Sequence, residues 1–326
     1  MTTIRWGVLG TGNIAKQFAR GLAELDDAKL VAVGSRTAEG SAAFAQQFGA
    51  ERSHASYDAL ANDPDVDAIY IATPHPMYKE NTILCLEAGK AVLCEKPFAM
   101  NAREAGEMID VARGRGVFLM EAMWTRFLPH MVRLRELLAS GAIGELRMLQ
   151  ADFGFRTGFN PQHRLFNPEL GGGALLDVGI YPASLASMLF GAPERVTGMA
   201  TMGETGVDEQ SAMLFGYAGG QIAILSQAVR TNTPHEALLL GTAGRIRIHG
   251  SWWKATTMTL SADGKPDELI DVPSPGNGYN YEAAEVRRCL RAGLTESATM
   301  PLDETLATMR TLDEVRAQWG LRYPGE

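Results

Sequence analysis

A glycine-rich turn near the start of the chain constrains the fold more than any other feature. It follows an apolar run typical of a strand and precedes apolar residues spaced three and four apart, which predict a helix. Gly10 permits a tight turn, Gly12 lets the backbone approach a pyrophosphate, and Ala15 replaces a third glycine where helix and strand pack closely. Amides at a helix N-terminus favour an anion, so a dinucleotide site is predicted, with a glycine turn in another α/β fold as the alternative. The predicted cofactor contacts here are Gly10, Thr11, Gly12, Asn13 and Ile14.

The residues after the second predicted strand, 30–34, select the form of the cofactor. NAD enzymes usually carry Asp or Glu at this place, whereas this chain has Ser35, Arg36 and Thr37. A guanidinium binds a 2′-phosphate through two parallel hydrogen bonds, and the two hydroxyls can donate to its oxygens. We therefore predict NADP(H), with NAD(H) as a weaker alternative. The other interpretation is that Arg36 stacks on the adenine without selecting the cofactor.

Strand and helix patterns alternate up to about residue 120, which predicts a parallel sheet with right-handed crossovers. Ligands of such sheets bind beyond the carboxyl ends of the strands. The residues that follow the strand predicted at 66–72 are therefore expected to contact the cofactor. They are Thr73, Pro74 and His75.

A lysine after the strand predicted at 91–94 is the predicted catalytic residue of this half. In Glu95-Lys96-Pro97 the proline restrains the backbone, so Lys96 is expected beside the nicotinamide. Its positive charge favours alkoxide character on a substrate hydroxyl and allows it to take part in proton transfer. Glu95 and Lys96 are also counted as cofactor contacts. A solvated surface lysine beside a glutamate is the alternative.

The second half of the chain has a different pattern. Strand candidates follow one another without intervening helices, at 145–155, 193–203, 209–217, 220–229, 236–241, 244–249, 255–261 and 267–272. We predict an α/β Rossmann domain that binds NADP over residues 1–123, with a doubly wound parallel sheet. Residues 124–326 are predicted to form an α+β substrate-binding and oligomerisation domain with a large, mainly antiparallel, open sheet. Helices are predicted at about 101–114, 281–292 and 303–318.

Charge, hydropathy and cysteine content argue against several classes of protein. The net charge of −8 without a basic cluster argues against nucleic acid or an anionic membrane as partner. We expect no apolar run close to the roughly 18 residues of a membrane span, and no signal peptide. These expectations predict a cytoplasmic protein. The three cysteines and six histidines show no metal-ligand spacing, so neither a disulfide framework nor a metal site is predicted.

Three separated motifs occur along the chain. They are Gly10-x-Gly12-x-x-Ala15, Glu95-Lys96-Pro97 and Gly171-Gly172-Gly173-x-x-x-Asp177-x-Gly179-x-Tyr181. Together they resemble the glucose-fructose oxidoreductase, inositol dehydrogenase and rhizopine catabolism (Gfo/Idh/MocA) family over nearly the whole chain. Segments 121–127, 281–283 and 301–302 are most similar to its branch of dimeric dihydrodiol dehydrogenases and NADP-dependent D-xylose dehydrogenases. The resemblance implies a pyridine-nucleotide oxidoreductase acting on sugars or related cyclic alcohols.

The resemblance also implies roles for residues of the second half. Arg164 matches a position from which relatives contact the cofactor, and Trp124 would offer a flat apolar face to the substrate. The predicted substrate contacts are Trp124, Phe155, Tyr279 and Tyr281. A core tryptophan and a surface arginine are the alternatives for Trp124 and Arg164. The family further favours a homodimer or a higher oligomer through the C-terminal sheet.

Asp177 and Tyr181 are predicted to share one face of a helix that opens at the glycine triplet and runs toward Phe190. Many relatives carry His where this chain has Tyr181. A tyrosine can still exchange the proton if Lys96 stabilises its phenolate. Pro182 lacks an N–H and is expected to kink or loosen the helix. A core aromatic residue with a satisfied hydroxyl is the alternative for Tyr181.

These residues predict an NADP-dependent dehydrogenase or reductase. It would transfer a hydride between nicotinamide and the CH–OH or carbonyl carbon of a sugar, polyol or dihydrodiol. Lys96 and Tyr181, with Asp177 orienting the latter, would handle the proton and the charge on the substrate oxygen. Two alternatives are a non-catalytic NADP-binding regulator and a family member that retains NAD and acts on glycosides.

Overall fold

Six parallel strands form the sheet of the amino-terminal part of the structure, a computed structural model that describes residues 3–326. The strands are β1 (Ile4–Leu9), β2 (Ala28–Gly34), β3 (Arg52–His54), β4 (Ala68–Ile71), β5 (Ala91–Glu95) and β6 (Leu119–Ala122). Their order across the sheet is β3-β2-β1-β4-β5-β6, so the direction of strand addition reverses between β1 and β4. Ligands of open α/β sheets bind at the crevice beyond the strand ends at this reversal.

Five helices alternate with these strands. They are α1 (Asn13–Leu22), α2 (Ala38–Phe48), α3 (Tyr57–Ala61), α4 (Tyr78–Glu87) and α5 (Ala102–Arg115). The apolar side of α1 packs on the sheet, where the Phe18 ring stacks on Tyr70 at a centroid distance of 3.8 Å and contacts Trp6 edge-on at 5.2 Å. The predicted Rossmann fold is confirmed. Strand β3 was not predicted, because its three residues are too few for a periodic pattern, and the last strand was predicted at 117–120, two residues before the observed β6.

Eight strands form the second sheet. They are β7 (Leu146–Gly154), β8 (Arg195–Met202), β9 (Asp208–Gly216), β10 (Ile222–Ala228), β11 (Ala237–Gly241), β12 (Gly244–Ile248), β13 (Thr257–Ala262) and β14 (Glu268–Asp271). Their order is β14-β13-β12-β11-β7-β10-β9-β8, and all neighbours are antiparallel except β7 and β10. All eight strands lie where the alternating pattern predicted them, and the mainly antiparallel second sheet is confirmed.

The two faces of the second sheet differ in exposure. Alternate residues such as Met213 and Leu225 are buried, whereas Leu214 and Ile224, which face each other across β9 and β10, are 44% and 43% exposed. An antiparallel sheet with one apolar exposed side is compatible with a subunit contact. The contact between subunits through this sheet stays a prediction.

Four further helices complete the fold. They are α6 (Pro129–Ala139), α7 (Ile180–Phe190), α8 (Tyr279–Arg291) and α9 (Leu302–Gln318). Helices α8 and α9 were predicted, and α7 lies within the helix predicted to run toward Phe190. Helix α6 was missed, although Pro129 occupies the first helical position, where proline is a common start signal.

Two compact units divide the chain. The first comprises the described residues up to Phe127 together with Pro275–Leu306, and the second comprises Leu128–Ser274 together with Ala307–Glu326. The first boundary lies close to the predicted one, but residues 275–306 pack with the Rossmann sheet rather than with the domain predicted over 124–326. In this segment the Asn277 side chain donates to the carbonyl oxygen of Gln17 at 2.8 Å. A contact across 260 positions leaves no trace in local periodicity.

One stretch within residues 3–326, Pro168–Phe190, is long and apolar enough to cross a membrane by length and composition. The expectation that no such run exists is therefore wrong. The most apolar window of this stretch is 72% buried inside the protein, and the core helix of a globular protein passes the same test.

Candidate active site

The glycine turn after β1 has the shape that a dinucleotide requires. Gly10 has a φ of +106°, and a Cβ there would lie 2.6 Å from the carbonyl oxygen of Ala72 at the end of β4. Only glycine fits this close approach of two strand ends. A Cβ on Gly12, in contrast, would meet no protein atom within 4 Å. The space beside Gly12 is open, as the approach of a pyrophosphate to the backbone demands.

The N-terminus of α1 fits an anion. Helix α1 begins at Asn13, and its cap residue Gly12 has no side chain that could accept from the amides of the first turn. The first turn also contains no acidic residue. Gly12 and Asn13 are both exposed. Unpaired amides at a helix N-terminus favour negative charge, so these residues fit the phosphates of a nicotinamide dinucleotide.

The residues that follow β2 at its carboxyl end, from Ser35 to Thr37, have one neighbour that was not predicted. Arg36 is exposed and forms no ion pair with any carboxylate of residues 3–326. The Thr37 hydroxyl caps α2 by accepting from the Gly40 amide at 3.2 Å, so only its hydrogen remains to donate to a ligand. Burial raises the pKa of the Tyr57 hydroxyl, and the nearby positive charge of Arg36 opposes that rise. Tyr57 is therefore a neighbour of Arg36 that the sequence analysis missed.

The residues after β4 follow the same rule of strand ends. Thr73 is buried, and its hydroxyl accepts a hydrogen bond from the Asn81 side chain at 2.9 Å. Pro74 is exposed, and the half-buried His75 ring lies 5.2 Å from the ring of Tyr78. The structure thus puts the three predicted residues at the carboxyl end of β4, beside the reversal of strand order.

Lys96 directly follows β5, and a buried carboxylate holds its backbone. Glu95 is 3% exposed, accepts the Lys96 amide at 3.1 Å and accepts the hydroxyl of Tyr70 from β4. Glu282 of α8 is fully buried near Glu95, and neither of its carboxyl oxygens has a hydrogen-bond partner within the described residues. Burial, followed by the charge of Glu95, holds the pKa of Glu282 well above its ordinary value.

The sequence analysis missed the roles of Tyr70 and Glu282, although a signal for each was present. Tyr70 is the one hydroxyl in the aliphatic run of β4, and a buried hydroxyl needs a partner. Glu282 belongs to the segment 281–283, which was singled out for its similarity to one branch of the family and was assigned no chemical role.

Two predicted substrate residues touch each other within the first unit. The Trp124 and Tyr279 rings are stacked with centroids 5.0 Å apart and planes 18° from parallel. Trp124 is 7% exposed in a short 3₁₀ turn after β6, and Tyr279 starts α8. The Tyr281 hydroxyl donates to the carbonyl oxygen of Pro275 at 2.9 Å.

In the second unit, Asp177 and Arg164 form an ion pair. The Arg164 guanidinium donates to the two carboxylate oxygens of Asp177 at 2.7 and 3.4 Å. Asp177 is largely buried, with 13% of its side chain exposed, whereas 61% of the Arg164 side chain is exposed. The sequence analysis predicted a cofactor contact for Arg164, and its bond to Asp177 was not foreseen.

The helix that carries Asp177 and Tyr181 is interrupted, as the prediction of a kink or loosening at Pro182 allows, but the two residues do not share one regular α-helix. A π-helical turn spans Leu175–Gly179, and α7 begins only at Ile180. Pro182 cannot donate to the carbonyl four residues earlier, and a π-helical turn absorbs such a break in the hydrogen-bond ladder. Single π-helical turns next to α-helices are frequent at functional sites.

Tyr181 is 8% exposed and belongs to an aromatic cluster. Its ring lies 5.3 Å from that of Phe153, and Phe153 stacks on Trp253. Phe155, a predicted substrate residue, lies 6.5 Å from the Phe153 ring, and both pack against an apolar cluster that includes Phe166. Phe153 and Trp253 were not singled out in the sequence, although two adjacent tryptophans at 252–253 in a strand-rich region could have drawn attention to them.

No cluster of three or more His, Cys, Asp or Glu side chains suited to a metal ion occurs among residues 3–326. The charged candidates of the first unit are Arg36 and Lys96, and those of the second are the paired Arg164 and Asp177. A guanidinium can bind phosphate, and an ammonium can stabilise an oxygen anion, which are the protein's share of nicotinamide redox chemistry.

Known proteins resemble this chain over its whole length. Residues 4–123 match the family model described as "Oxidoreductase family, NAD-binding Rossmann fold", and residues 131–251 match "GFO/IDH/MocA C-terminal domain". The chain is 41% identical to trans-1,2-dihydrobenzene-1,2-diol dehydrogenase of Mus musculus over 335 residues, which covers 98% of each protein.

Two solved structures resemble the fold closely. A 3-ketoreductase from Actinomadura kijaniata, KijD10, in complex with NADP and TDP-benzene, has a TM-score of 0.86 and 26% identity, and the match covers 97% of this chain and 98% of that one. Aldose-aldose oxidoreductase from Caulobacter crescentus, complexed with glycerol, has a TM-score of 0.88 and 26% identity, with 98% of both chains covered.

These similarities extend from the glycine turn to the last strands of the second sheet, and they confirm the prediction of an oxidoreductase with a Rossmann domain for a nicotinamide dinucleotide. The chain therefore belongs to the Gfo/Idh/MocA family of oxidoreductases.

Proposed function

We propose that this oxidoreductase uses NADP(H) and acts on a CH–OH group, or the corresponding carbonyl, of a sugar, polyol or cyclic dihydrodiol. The observation that carries the proposal is the position of Lys96 directly after β5, with its amide bonded at 3.1 Å to the buried carboxylate of Glu95. A backbone fixed in this way holds a cation at the strand ends where a parallel sheet binds its cofactor.

The proposed chemistry assigns distinct tasks to three side chains. Bound NADP(H) supplies or accepts the hydride. During oxidation of an alcohol, the Lys96 ammonium stabilises the negative charge that develops on the substrate oxygen. The Tyr181 hydroxyl exchanges the proton of that oxygen, and Asp177, paired with Arg164, orients the helix that carries Tyr181. In the reverse direction Tyr181 returns the proton.

The preference for NADP(H) is proposed from Arg36. It is exposed at the carboxyl end of β2, and no carboxylate of the described chain competes for its guanidinium. The place where NAD enzymes carry an acid for the ribose hydroxyls is thus occupied by an unpaired cation. The similar 3-ketoreductase was solved with NADP, which agrees with this proposal.

The substrate class is proposed from the stacked Trp124 and Tyr279. Two parallel rings form a flat apolar surface whose polar atoms lie at the edges, which suits the carbon face of a ring that carries hydroxyl groups. The dihydrodiol dehydrogenases, the 3-ketoreductase and the aldose-aldose oxidoreductase are named for cyclic or polyhydroxylated substrates.

The test is a panel of sugars, polyols and arene dihydrodiols, followed by NADPH appearance and run in parallel with NAD. With the best substrate, Lys96→Met and Tyr181→Phe should each lower kcat by about 10²–10⁴-fold and leave the Kd for NADPH within about threefold of wild type. The matched controls are Lys254→Met, at an exposed lysine, and Tyr217→Phe, whose buried hydroxyl has no partner among residues 3–326. Both controls should retain full turnover.

Three outcomes would contradict the proposal, each in its own way. Full turnover in both Lys96→Met and Tyr181→Phe would remove these residues from the chemistry. Tight NADPH binding without turnover on any member of the panel would favour a regulator. Release of NAD from the purified and then denatured protein would favour the family member that retains NAD and acts on glycosides.

A further inference from the structure

A β-bulge directs one carboxylate of the second sheet into the protein. In β9, alternate residues from Ser211 to Phe215 face the core, and Glu209 would be next in a regular strand. The pairing with β8 shifts at this point: Thr201 opposes Gln210, but Met202 opposes Asp208. The extra residue turns Asp208 inward, and it is fully buried.

The buried carboxylate accepts the first amide of the π-helical turn. Asp208 Oδ2 accepts the Leu175 amide at 2.8 Å and the Ser211 hydroxyl at 3.2 Å. Ser211 in turn accepts from the Gln227 side-chain amide of β10 at 2.6 Å. A chain of three polar side chains from two strands therefore ends on the backbone of Leu175, two residues before Asp177.

Two glycines of the third sequence motif are fitted to this polar chain. Gly173 has a φ of +120°, and a Cβ there would lie 2.3 Å from Asp208 Oδ1. A Cβ on Gly179 would lie 3.0 to 3.3 Å from three atoms of the Gln227 side chain. The backbone before the π-helical turn therefore approaches the carboxylate more closely than a larger residue would permit, and the end of the turn packs tightly against the Gln227 amide.

We propose that Asp208 is a positioning residue for the reaction: by binding the Leu175 amide it fixes the π-helical turn, and with it the places of Asp177 and Tyr181. This inference rests on the proposed function of Tyr181. A helix N-terminus without a partner for its amides is free to fray, and a displacement of about 1 Å at a catalytic group can lower a rate by about 100-fold. Asp208 itself touches neither substrate nor cofactor in this proposal.

The test compares two replacements of Asp208 with a control on the same strand face. Asp208→Ala removes the acceptor and should lower kcat by roughly 10–100-fold, with the substrate KM changed by less than about threefold. Asp208→Asn keeps one oxygen acceptor and should retain kcat within about fivefold of wild type. Met213→Ala opens a cavity at a buried residue of β9 and leaves the Asp208 carboxylate in place, and it should lower the thermal midpoint and leave kcat unchanged.

A double-mutant cycle separates positioning from general damage. In a Tyr181→Phe background, Asp208→Ala should lower kcat by less than about threefold, because the group that it positions is already gone. If Asp208→Ala does not fold, Gln227→Leu is the substitute: it weakens the same chain and should lower kcat by about 3–10-fold.

The outcomes of the cycle are distinguishable. Equal losses from Asp208→Ala in both backgrounds, or equal losses in Asp208→Asn and Asp208→Ala, would overturn the positioning role. Normal turnover of Tyr181→Phe alone would contradict the proposed function instead.

Discussion

The two compact units place their candidate site residues by different physical means. In the first, Gly10, Arg36, Thr73 and Lys96 all lie at or just beyond the carboxyl ends of parallel strands. The topology of the sheet collects them, because every such end lies along one edge. In the second, Asp177 and Tyr181 lie on one helical segment, and side-chain hydrogen bonds from a neighbouring sheet fix the start of that segment.

The candidate residues of the two units are therefore expected to respond differently to substitution. Exposed residues at these strand ends, such as Arg36, are replaceable with little effect on their neighbours, since the sheet itself does not depend on their side chains. Gly10 is the exception, because a Cβ there would meet the Ala72 carbonyl oxygen. A segment held by buried polar side chains shifts when any member of the network loses its partner. Each of the following predictions tests this contrast.

The largest expected effect in the first unit is at Gly12. Gly12→Val should raise the KM for the dinucleotide by at least about 100-fold, because the added side chain fills the space in which a pyrophosphate approaches the backbone. The thermal midpoint should fall by only about 1–3 °C, since no protein atom lies within 4 Å of the new Cβ. Gly106→Ala, at an equally open position in α5, is the matched control and should bind the dinucleotide normally.

A midpoint loss of more than about 10 °C in Gly12→Val would show that the glycine turn supports the fold as well as the ligand, and the contrast between the units would weaken.

An intermediate effect is expected at Arg36. Arg36→Asp should lower the ratio of kcat/KM for NADP to that for NAD by about 10–100-fold, because a carboxylate repels the 2′-phosphate and accepts from the ribose hydroxyls. Arg115→Asp, at an exposed arginine of α5 with no ion pair in the described chain, applies the same change of net charge elsewhere. If the ratio of kcat/KM for NADP to that for NAD is unchanged in Arg36→Asp, the guanidinium does not select the cofactor, and the alternative that it stacks on the adenine is favoured.

The smallest expected effect concerns the pH dependence of stability, to which each unit contributes one buried carboxyl. Burial raises the pKa of Glu121 to about 7 in the first unit and that of Asp208 to about 7 in the second. Glu121 accepts the Thr305 hydroxyl at 3.0 Å, and the charge of Arg126 opposes the rise of its pKa. Both groups bind a proton more tightly in the folded protein than in the unfolded chain.

The sign follows from proton linkage. The stability that such a group contributes is complete below the pKa of the unfolded chain and is lost as the pH rises through about 7. The thermal midpoint should therefore fall between pH 5 and pH 8, and Glu121→Gln, which stays neutral, should flatten part of that fall. The change is at most about 3 kcal/mol for each of the two carboxyls, or a few degrees in the thermal midpoint.

Activity distinguishes the two carboxyls. At pH 7, Glu121→Gln should leave kcat within about twofold of wild type, since the Thr305 hydroxyl that it accepts and the Arg126 charge beside it have no role in the proposed chemistry. A loss of kcat comparable to that of Asp208→Ala would remove the contrast between a structural and a positioning carboxyl.

The amino-acid sequence alone determined the elements and their order. Strands of period two, helices of period 3.6 and the glycine turn are local patterns, and each is fixed by the steric and hydrophobic preferences of adjacent residues. This explains why the Rossmann fold, the eight strands of the second sheet and the strand-end positions of Arg36 and Lys96 were predictable. The break before Pro182 was also predictable in kind, because a proline lacks the N–H of the helical ladder.

The tertiary structure decided which distant residues meet. The packing of residues 275–306 with the Rossmann sheet, the pairing of Arg164 with Asp177 and the inward turn of Asp208 depend on contacts between segments far apart in sequence. A single bulge reverses the side to which a strand residue points, and no pattern in one strand reveals it. Such contacts are set by the summed packing of many elements, so they exist only once the chain has folded.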